Sequence, residues 1–132
     1  MSFLLDTDTL IYLVNGRLPV NERVAAKSAE LLMVSTVSMM EVWVGFEKMP
    51  GQQGPERRFR EFVEAVKLVP FEAGDARAAA RVRAVLEKGG QKIGAYDLQI
   101  AGQALERELV LVTHNTKHFS RVPGLKVEDW MA

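Results

Sequence analysis

The chain has 132 residues, of which 48% are apolar and 26% are charged, and these values are typical of one compact domain. Seventeen basic residues balance seventeen acidic ones, so no global positive field attracts nucleic acid. The chain has no Cys, which excludes disulfides and thiolate metal sites. No apolar run reaches the roughly 18 residues of a membrane span, and Asp6 and Asp8 interrupt the only candidate signal segment. We therefore expect one cytoplasmic domain over residues 1–132, with chemistry that rests mainly on carboxylates.

Short apolar strands alternate with helices along the chain. A first strand at 3–5 precedes a helix that carries Leu10 to Val14, and a short polar helix at 22–30 follows. The remaining predicted elements are strands at 31–36, 68–71 and 109–113, an additional edge strand at 125–127, and helices at 38–48, 55–67, 74–88, 95–107 and 116–119. Because the strands are continuously apolar, they predict an α/β fold with a central parallel sheet of four to five strands, covered by helices on both faces.

Three carboxylates lie within or at the end of apolar segments: Asp6, Glu41 and Asp97. No Lys or Arg adjoins any of them in sequence, although a carboxylate near apolar surroundings is costly without a compensating partner. Each has a structural explanation, since Asp6 can cap a helix, Ser38 and Glu41 form a capping box, and Asp97 complements a helix dipole. For any one of these acids, capping and function are equally good explanations.

The positions of these acids relative to the strands favour a shared site. Asp6 ends the first strand, Glu41 follows the second, Asp97 begins a late helix, and Asn115 follows the fourth strand. In a parallel sheet these positions meet along one edge, where ligands bind. Oxygen ligands without His or Cys suit Mg²⁺ or Mn²⁺, and such a cation suits phosphoryl transfer.

The predicted helix at 38–48 has an unusually wide apolar surface of roughly 200°. Gly45 lies one turn from Glu41 and leaves open space beside its carboxylate. The apolar side chains around Met39, Trp43 and Phe46 allow two interpretations, which are a deeply buried helix and a surface that faces another chain.

Four segments in order resemble the PIN-domain family, more narrowly the VapC-type toxins of bacterial or archaeal type II toxin–antitoxin pairs. They are Leu-Leu-Asp-Thr-Asp-Thr-Leu at 4–10, Ser-Thr-Val-Ser-Met-Met-Glu at 35–41, Ile-Gly-Ala-Tyr-Asp-Leu-Gln-Ile-Ala at 93–101, and the stretch from Leu111 to Trp130. The resemblance implies a three-layer α/β/α sandwich and a Mg²⁺- or Mn²⁺-dependent endoribonuclease. It also implies a homodimer that a small co-encoded antitoxin neutralises.

The resemblance further implies roles for individual residues. Asp6 and Asp97 would bind the metal directly, and Glu41 would bind it through water or orient the nucleophile. Thr113 and Asn115 would complete the rim of the site. Family members often carry an acid where Asn115 stands. Because the neutral Asn115 does not add this negative charge, we expect a single tightly bound cation in the absence of RNA.

Asp8 leaves two interpretations open, since it either supports the site indirectly or only caps the first helix. Asp6 and Asp8 together also resemble the first motif of haloacid-dehalogenase-type phosphatases, although the catalytic Lys and downstream acidic pair of those enzymes do not stand out. Further alternatives are a housekeeping PIN nuclease without an antitoxin and a PIN-like scaffold that binds RNA or a partner without cutting.

Several other side chains have a structural explanation at least as good as a functional one. Two basic groups suit a solvated helix face better than phosphate binding, His114 and His118 suit a surface pair, and Tyr96 suits packing as well as stacking. The basic groups are Arg77, Arg81 and Lys88, and Arg57, Arg58 and Arg60. His114 stands where family members often have Asn, and we assign it no role at this stage.

Overall fold

Five short strands and seven α-helices make up the computed structural model, which describes all 132 residues. The strands are β1 (Phe3–Leu5), β2 (Leu32–Ser35), β3 (Lys67–Val69), β4 (Val110–Val112) and β5 (Val127–Glu128). The helices are α1 (Thr7–Val14), α2 (Leu18–Ala25), α3 (Thr36–Lys48), α4 (Gln53–Ala65), α5 (Ala73–Lys88), α6 (Ala95–Glu106) and α7 (Thr116–Phe119), with a 3-10 turn at Ala29–Leu31. None of the helices has the length and hydropathy needed to cross a membrane.

All five strands are parallel and lie in the order β3-β2-β1-β4-β5, which confirms the predicted sheet. The chain moves from β1 outward to β3 and then returns to place β4 on the other side of β1. Leu5 is in register with Val112 across this pair. The direction of winding therefore reverses between β1 and β4, and the crevice beyond the carboxyl ends of these strands is where open α/β sheets bind ligands.

Each face of the sheet supports its own apolar core, because neighbouring strand residues point to opposite faces. Phe3 and Leu5 pack with α1, α2, α3 and α4 on one side, whereas Leu4 and Leu111 pack with α5, α6 and α7 on the other. The result is the three-layer α/β/α sandwich that the family resemblance implies.

Several predicted boundaries differ from the observed ones. The polar helix predicted at 22–30 is wrong, since α2 begins at Leu18 and a separate 3-10 turn follows. Pro19 lies in the first turn of α2, where its missing N–H costs no helical hydrogen bond. The edge strand β5 shares only residue 127 with the predicted 125–127, because Leu111 and Val112 of β4 pair with residues 127 and 128.

Helix α3 begins earlier than predicted. Ser35 is the N-cap, and its hydroxyl oxygen accepts a hydrogen bond from Val37 N–H at 3.1 Å. Ser38 is instead buried inside the helix and its hydroxyl has no partner, so the predicted capping box between Ser38 and Glu41 is wrong. Glu41 consequently lies in the second turn of α3 and not in the first.

The wide apolar surface of α3 is largely covered by the chain itself. Met39, Trp43 and Phe46 pack against the core, and the Trp43 ring lies 5.6 Å from that of Phe59 on α4. The structure favours the buried-helix interpretation for these three partly buried side chains, because α4 covers much of that side, and a partner on the part that is still accessible stays a prediction. Among the large apolar side chains of α3, only Met40 and Val44 are exposed, at 43% and 42%.

Candidate active site

Asp6 lies at the carboxyl end of β1, at the reversal point of the sheet. Its backbone N–H donates to Val112 O at 2.9 Å, which continues the β1–β4 ladder, and its side chain is only 5% exposed. Asp6 is also the N-cap of α1, because its Oδ1 accepts a hydrogen bond from Thr7 N–H at 2.8 Å. Capping is thus confirmed for Asp6, but it uses one carboxylate oxygen only.

Thr113 lies between Asp6 and Asp8. Its hydroxyl is 3.0 Å from Asp6 Oδ2 and 3.3 Å from Asp8 Oδ2, and the same oxygen accepts a hydrogen bond from Asn115 N–H at 3.1 Å. A hydroxyl has one proton, so it donates to only one of the two carboxylates at a time. Thr113 therefore links Asp6, the N-cap of α1, and Asp8, in its first turn, to the end of β4.

Asp8 does not cap a helix, since Asp6 occupies that position. Asp8 Oδ2 accepts a hydrogen bond from the backbone N–H of His114 at 3.2 Å, and its Oδ1 lies 3.2 Å from the Thr9 hydroxyl. The carboxylate is thus fixed to the loop that follows β4. This contact joins α1 to the Asn115 segment at the edge of the sheet.

Glu41 reaches the same edge from α3. Its Oε1 accepts a hydrogen bond of 2.7 Å from the hydroxyl of Thr7, whose backbone N–H binds Asp6. Thr7 therefore links the carboxylates of Asp6 and Glu41. Thr7 was not among the predicted site residues, although its hydroxyl lies between two acids in the sequence Asp-Thr-Asp.

Asp97 lies in the first turn of α6 and is half-buried, and its Oδ2 is 3.3 Å from His118 Nε2. A guanidinium N–H of Arg121 donates to His118 Nδ1 at 2.8 Å and to Lys92 O at 3.0 Å. Because a guanidinium only donates, His118 Nδ1 must accept, and the hydrogen of the neutral ring is on Nε2. Arg121 therefore orients His118 so that its N–H faces Asp97.

The predicted surface pair of His114 and His118 is wrong. His114 lies before α7 and its Nδ1 is 3.0 Å from Asp129 Oδ2, whereas His118 is on α7 beside Asp97. The contact between His118 and Asp97 has no sequence signal, because 21 residues separate them and only the packing of α6 and α7 brings them together.

The charges of the acids are coupled. Burial is the main cause that raises the pKa of Asp6, to about 7, and the nearby charges of Asp8 and Asp97 raise it further. Burial also raises the pKa of Asp97, while the His118 contact opposes this rise. Asp6, Asp8 and Asp97 therefore lie close enough to repel each other at the edge where sequence analysis expected the site.

No basic side chain compensates Asp6, Asp8 or Glu41, because none of the six ion pairs of the chain involves them. No three Asp, Glu or His side chains form a closed ligand set as they stand. The donors nevertheless fit a hard divalent cation, since they are carboxylate oxygens whose mutual repulsion a cation would relieve.

The remaining predicted residues lie outside this cluster of contacts. The side chain of Asn115 is exposed and forms no hydrogen bond within the chain, although its backbone N–H binds Thr113. Tyr96 is exposed next to Asp97. Arg58 donates to Val14 O, and Arg60 pairs with Glu56 and lies over the Trp43 ring, so these two arginines have structural roles.

Comparison with known proteins places these features in a family. A family model described as "PIN domain" matches residues 3–125. The chain is 35% identical over 134 residues to the tRNA(fMet)-specific endonuclease VapC of Shigella flexneri, with 98% of each chain covered. Among solved structures, DNA-bound VapBC from Salmonella typhimurium has a TM-score of 0.90 at 31% identity, with 98% of each chain covered.

VapBC-1 from nontypeable Haemophilus influenzae has a TM-score of 0.86 at 29% identity over 100% of both chains. The family match covers strands β1 to β4 and the acids Asp6, Asp8, Glu41 and Asp97. Given this match and the identity over nearly the full length, the chain belongs to the PIN-domain family, in its VapC group.

Proposed function

We propose that the chain is a metal-dependent endoribonuclease that hydrolyses RNA phosphodiester bonds and acts as the toxin of a toxin–antitoxin pair. The observation that carries the proposal is the uncompensated acidic cluster at the reversal point of the sheet. Asp6, Asp8 and Asp97 repel each other there, and Asp6, Asp8 and Glu41 have no basic partner. Relatives named as VapC endonucleases and ribonucleases support the same activity.

We propose Asp6, Asp97 and Glu41 as the side chains that hold the cation, which is Mg²⁺ or Mn²⁺. Such a cation supplies an activated water and offsets the charge that develops on the phosphate. Asp6 keeps Oδ2 directed to this edge because Thr7 N–H occupies Oδ1. Thr7 holds Glu41 beside Asp6, and His118 restrains Asp97.

We propose that the exposed Asn115 contacts the substrate. Its backbone is fixed through Thr113, while its amide projects from the loop after β4 with both donor and acceptor groups unused inside the chain. An amide is neutral, so it binds a phosphate or a ribose without adding charge repulsion at an acidic edge. Asn115 is therefore proposed as a catalytic residue that orients the RNA backbone.

Cleavage of purified RNA by the full chain tests the nuclease. We expect Mg²⁺-dependent cleavage that EDTA abolishes, and loss of at least about 100-fold in Asp6→Asn or Asp97→Asn, because each removes charge from the cation site. Glu56→Gln is the matched control, since this exposed acid lies on α4 and pairs only with Arg60. Undiminished cleavage by the double Asn variant, or in excess EDTA, would contradict the proposal.

The toxin role rests on the structural neighbours, which include VapBC complexes and a toxin–antitoxin complex from Klebsiella pneumoniae. We propose a small co-encoded antitoxin as the partner of this chain. A homodimer remains a prediction from the family resemblance, for which Met40 and Val44 on α3 offer exposed apolar surface.

Expression in a bacterial host separates a toxin from a housekeeping nuclease. We expect the chain to arrest growth, Asp97→Asn to abolish the arrest, and co-expression of the neighbouring small gene to relieve it. A chain that cleaves RNA in vitro but is harmless at high expression would favour the housekeeping alternative.

A further inference from the structure

His114 is an exposed ring that is held in place from three directions. Its backbone N–H donates to Asp8, its Nδ1 lies 3.0 Å from Asp129 Oδ2, and its ring packs edge-on against Tyr12 with centroids 5.7 Å apart. The side chain is nevertheless 52% exposed. Such restraint contributes little to a core and leaves a rigid aromatic surface beside the acidic edge.

The carboxylate of Asp129 fixes both the orientation and the tautomer of this ring. Asp129 Oδ1 accepts a hydrogen bond from Met131 N–H at 2.9 Å, so the carboxylate is itself immobilised. A carboxylate only accepts, and Nδ1 of His114 therefore carries the hydrogen. The Nε2 atom has no hydrogen-bond partner within the chain.

A positive charge extends the same surface. The guanidinium of Arg17 lies 5.2 Å from the centroid of the Tyr12 ring, and Arg17 forms no ion pair. Arg17 is exposed at the start of α2. This surface therefore runs from the guanidinium of Arg17, which has no ion-pair partner, across the rings of Tyr12 and His114 to Asp8 at the acidic edge.

We propose that Arg17, Tyr12 and His114 form a binding site for one nucleotide of single-stranded RNA, with its base stacked on His114 and its phosphate near Arg17. This inference rests on the proposed ribonuclease function and names the part of the substrate that lies next to the scissile bond. Aromatic rings with an adjacent cation bind unstacked bases with little sequence preference. A duplex keeps its bases stacked and cannot use such a ring.

Binding measured in the Asp97→Asn background, which keeps RNA intact, tests the proposal. The probes are an oligoadenylate carrying 2-aminopurine and an abasic oligomer of equal length. We expect His114→Ala to weaken oligoadenylate binding by about tenfold, because a stacked base is lost. His114→Phe should restore binding to within about twofold, since it keeps the ring, and 2-aminopurine fluorescence should be quenched with His or Phe but not with Ala.

Arg17→Ala should weaken binding of both oligomers. Arg23 is an exposed arginine at the other end of α2, and Arg23→Ala should leave binding of both oligomers unchanged. We expect His114→Ala to leave binding of the abasic oligomer unchanged, because that oligomer has no base to stack on the ring. Equal weakening on both oligomers, or a His114→Phe variant as weak as His114→Ala, would overturn the stacking role. If Asp97→Asn still cleaves the probe, the proposed function fails instead, so the two failures are distinguishable.

Discussion

Burial of Asp6 beside Asp8 makes the metal-free protein sensitive to pH. The pKa of Asp6 in the folded chain is about 7, against an ordinary value of 3.8 for an Asp carboxyl. Between these values the folded chain retains a proton that the unfolded chain has released, so stability is lost as pH rises through this window. The loss reaches at most about 4 kcal/mol.

We therefore expect wild-type protein in chelator to unfold at a lower urea concentration at about pH 8 than at about pH 5, because Asp6 must ionise in its buried position. Asp6→Asn should remove most of this pH dependence and leave the smaller contribution of Asp97, whose pKa is also raised. Urea denaturation across this range measures both. A wild-type protein that is equally stable at both values, or an Asn variant with an unchanged slope, would show that Asp6 ionises without cost.

At the scale of single residues, the sequence predicted the acids but not the groups that restrain them. Asp6, Glu41 and Asp97 could be found because carboxylates inside apolar segments are unusual, and the structure brings all three to the edge of the sheet. Thr7 and His118 could not be found in the same way. A hydroxyl or an imidazole on a polar segment is common, and its role depends on which distant carboxylate it faces.

The helix boundaries show which local sequence patterns predict an element accurately. Helix α5 was predicted to within one residue, because its Ala-rich sequence ends at Gly89 and Gly90. The N-cap of α3 was placed three residues late, at Ser38, since Ser35 and Ser38 are equally good caps in sequence and only the end of β2 decides between them. For the apolar side of α3, the sequence left a buried helix and a surface facing another chain equally open, because it does not show that the next helix, α4, folds back onto this side.

The contact between α5 and α6 depends on a glycine. A Cβ on Gly102 would lie 2.7 Å from the backbone N of Ala79, which cannot move without separating the helices, whereas a Cβ on Gly45 of α3 meets no atom within 4 Å. We expect Gly102→Ala to destabilise the fold by roughly 1–3 kcal/mol. Gly45→Ala should stabilise it by up to about 1 kcal/mol. Thermal denaturation compares the two, and equal shifts would contradict the close approach.

For the whole molecule, the parallel sheet accounts for the location of the site. The alternation of strands and helices predicted a parallel sheet in which the carboxyl ends of all strands lie along one edge. The observed strand order places β1 beside β4, where the direction of winding reverses. That reversal brings Asp6 against Thr113 across 107 residues of sequence. The strand order itself could not be read from the sequence, because short apolar strands carry no signal for their neighbours.

Calorimetric titration of Mn²⁺ into the metal-free full chain tests most directly whether the acidic edge is a cation site. We predict one tight site per chain, because Asp6, Glu41 and Asp97 supply up to three charges and Asn115 adds none. Asp6→Asn combined with Asp97→Asn should abolish the binding heat, while Glu56→Gln should leave it unchanged. Wild-type affinity in the double variant, or two equivalent tight sites in the unmodified chain, would contradict the account.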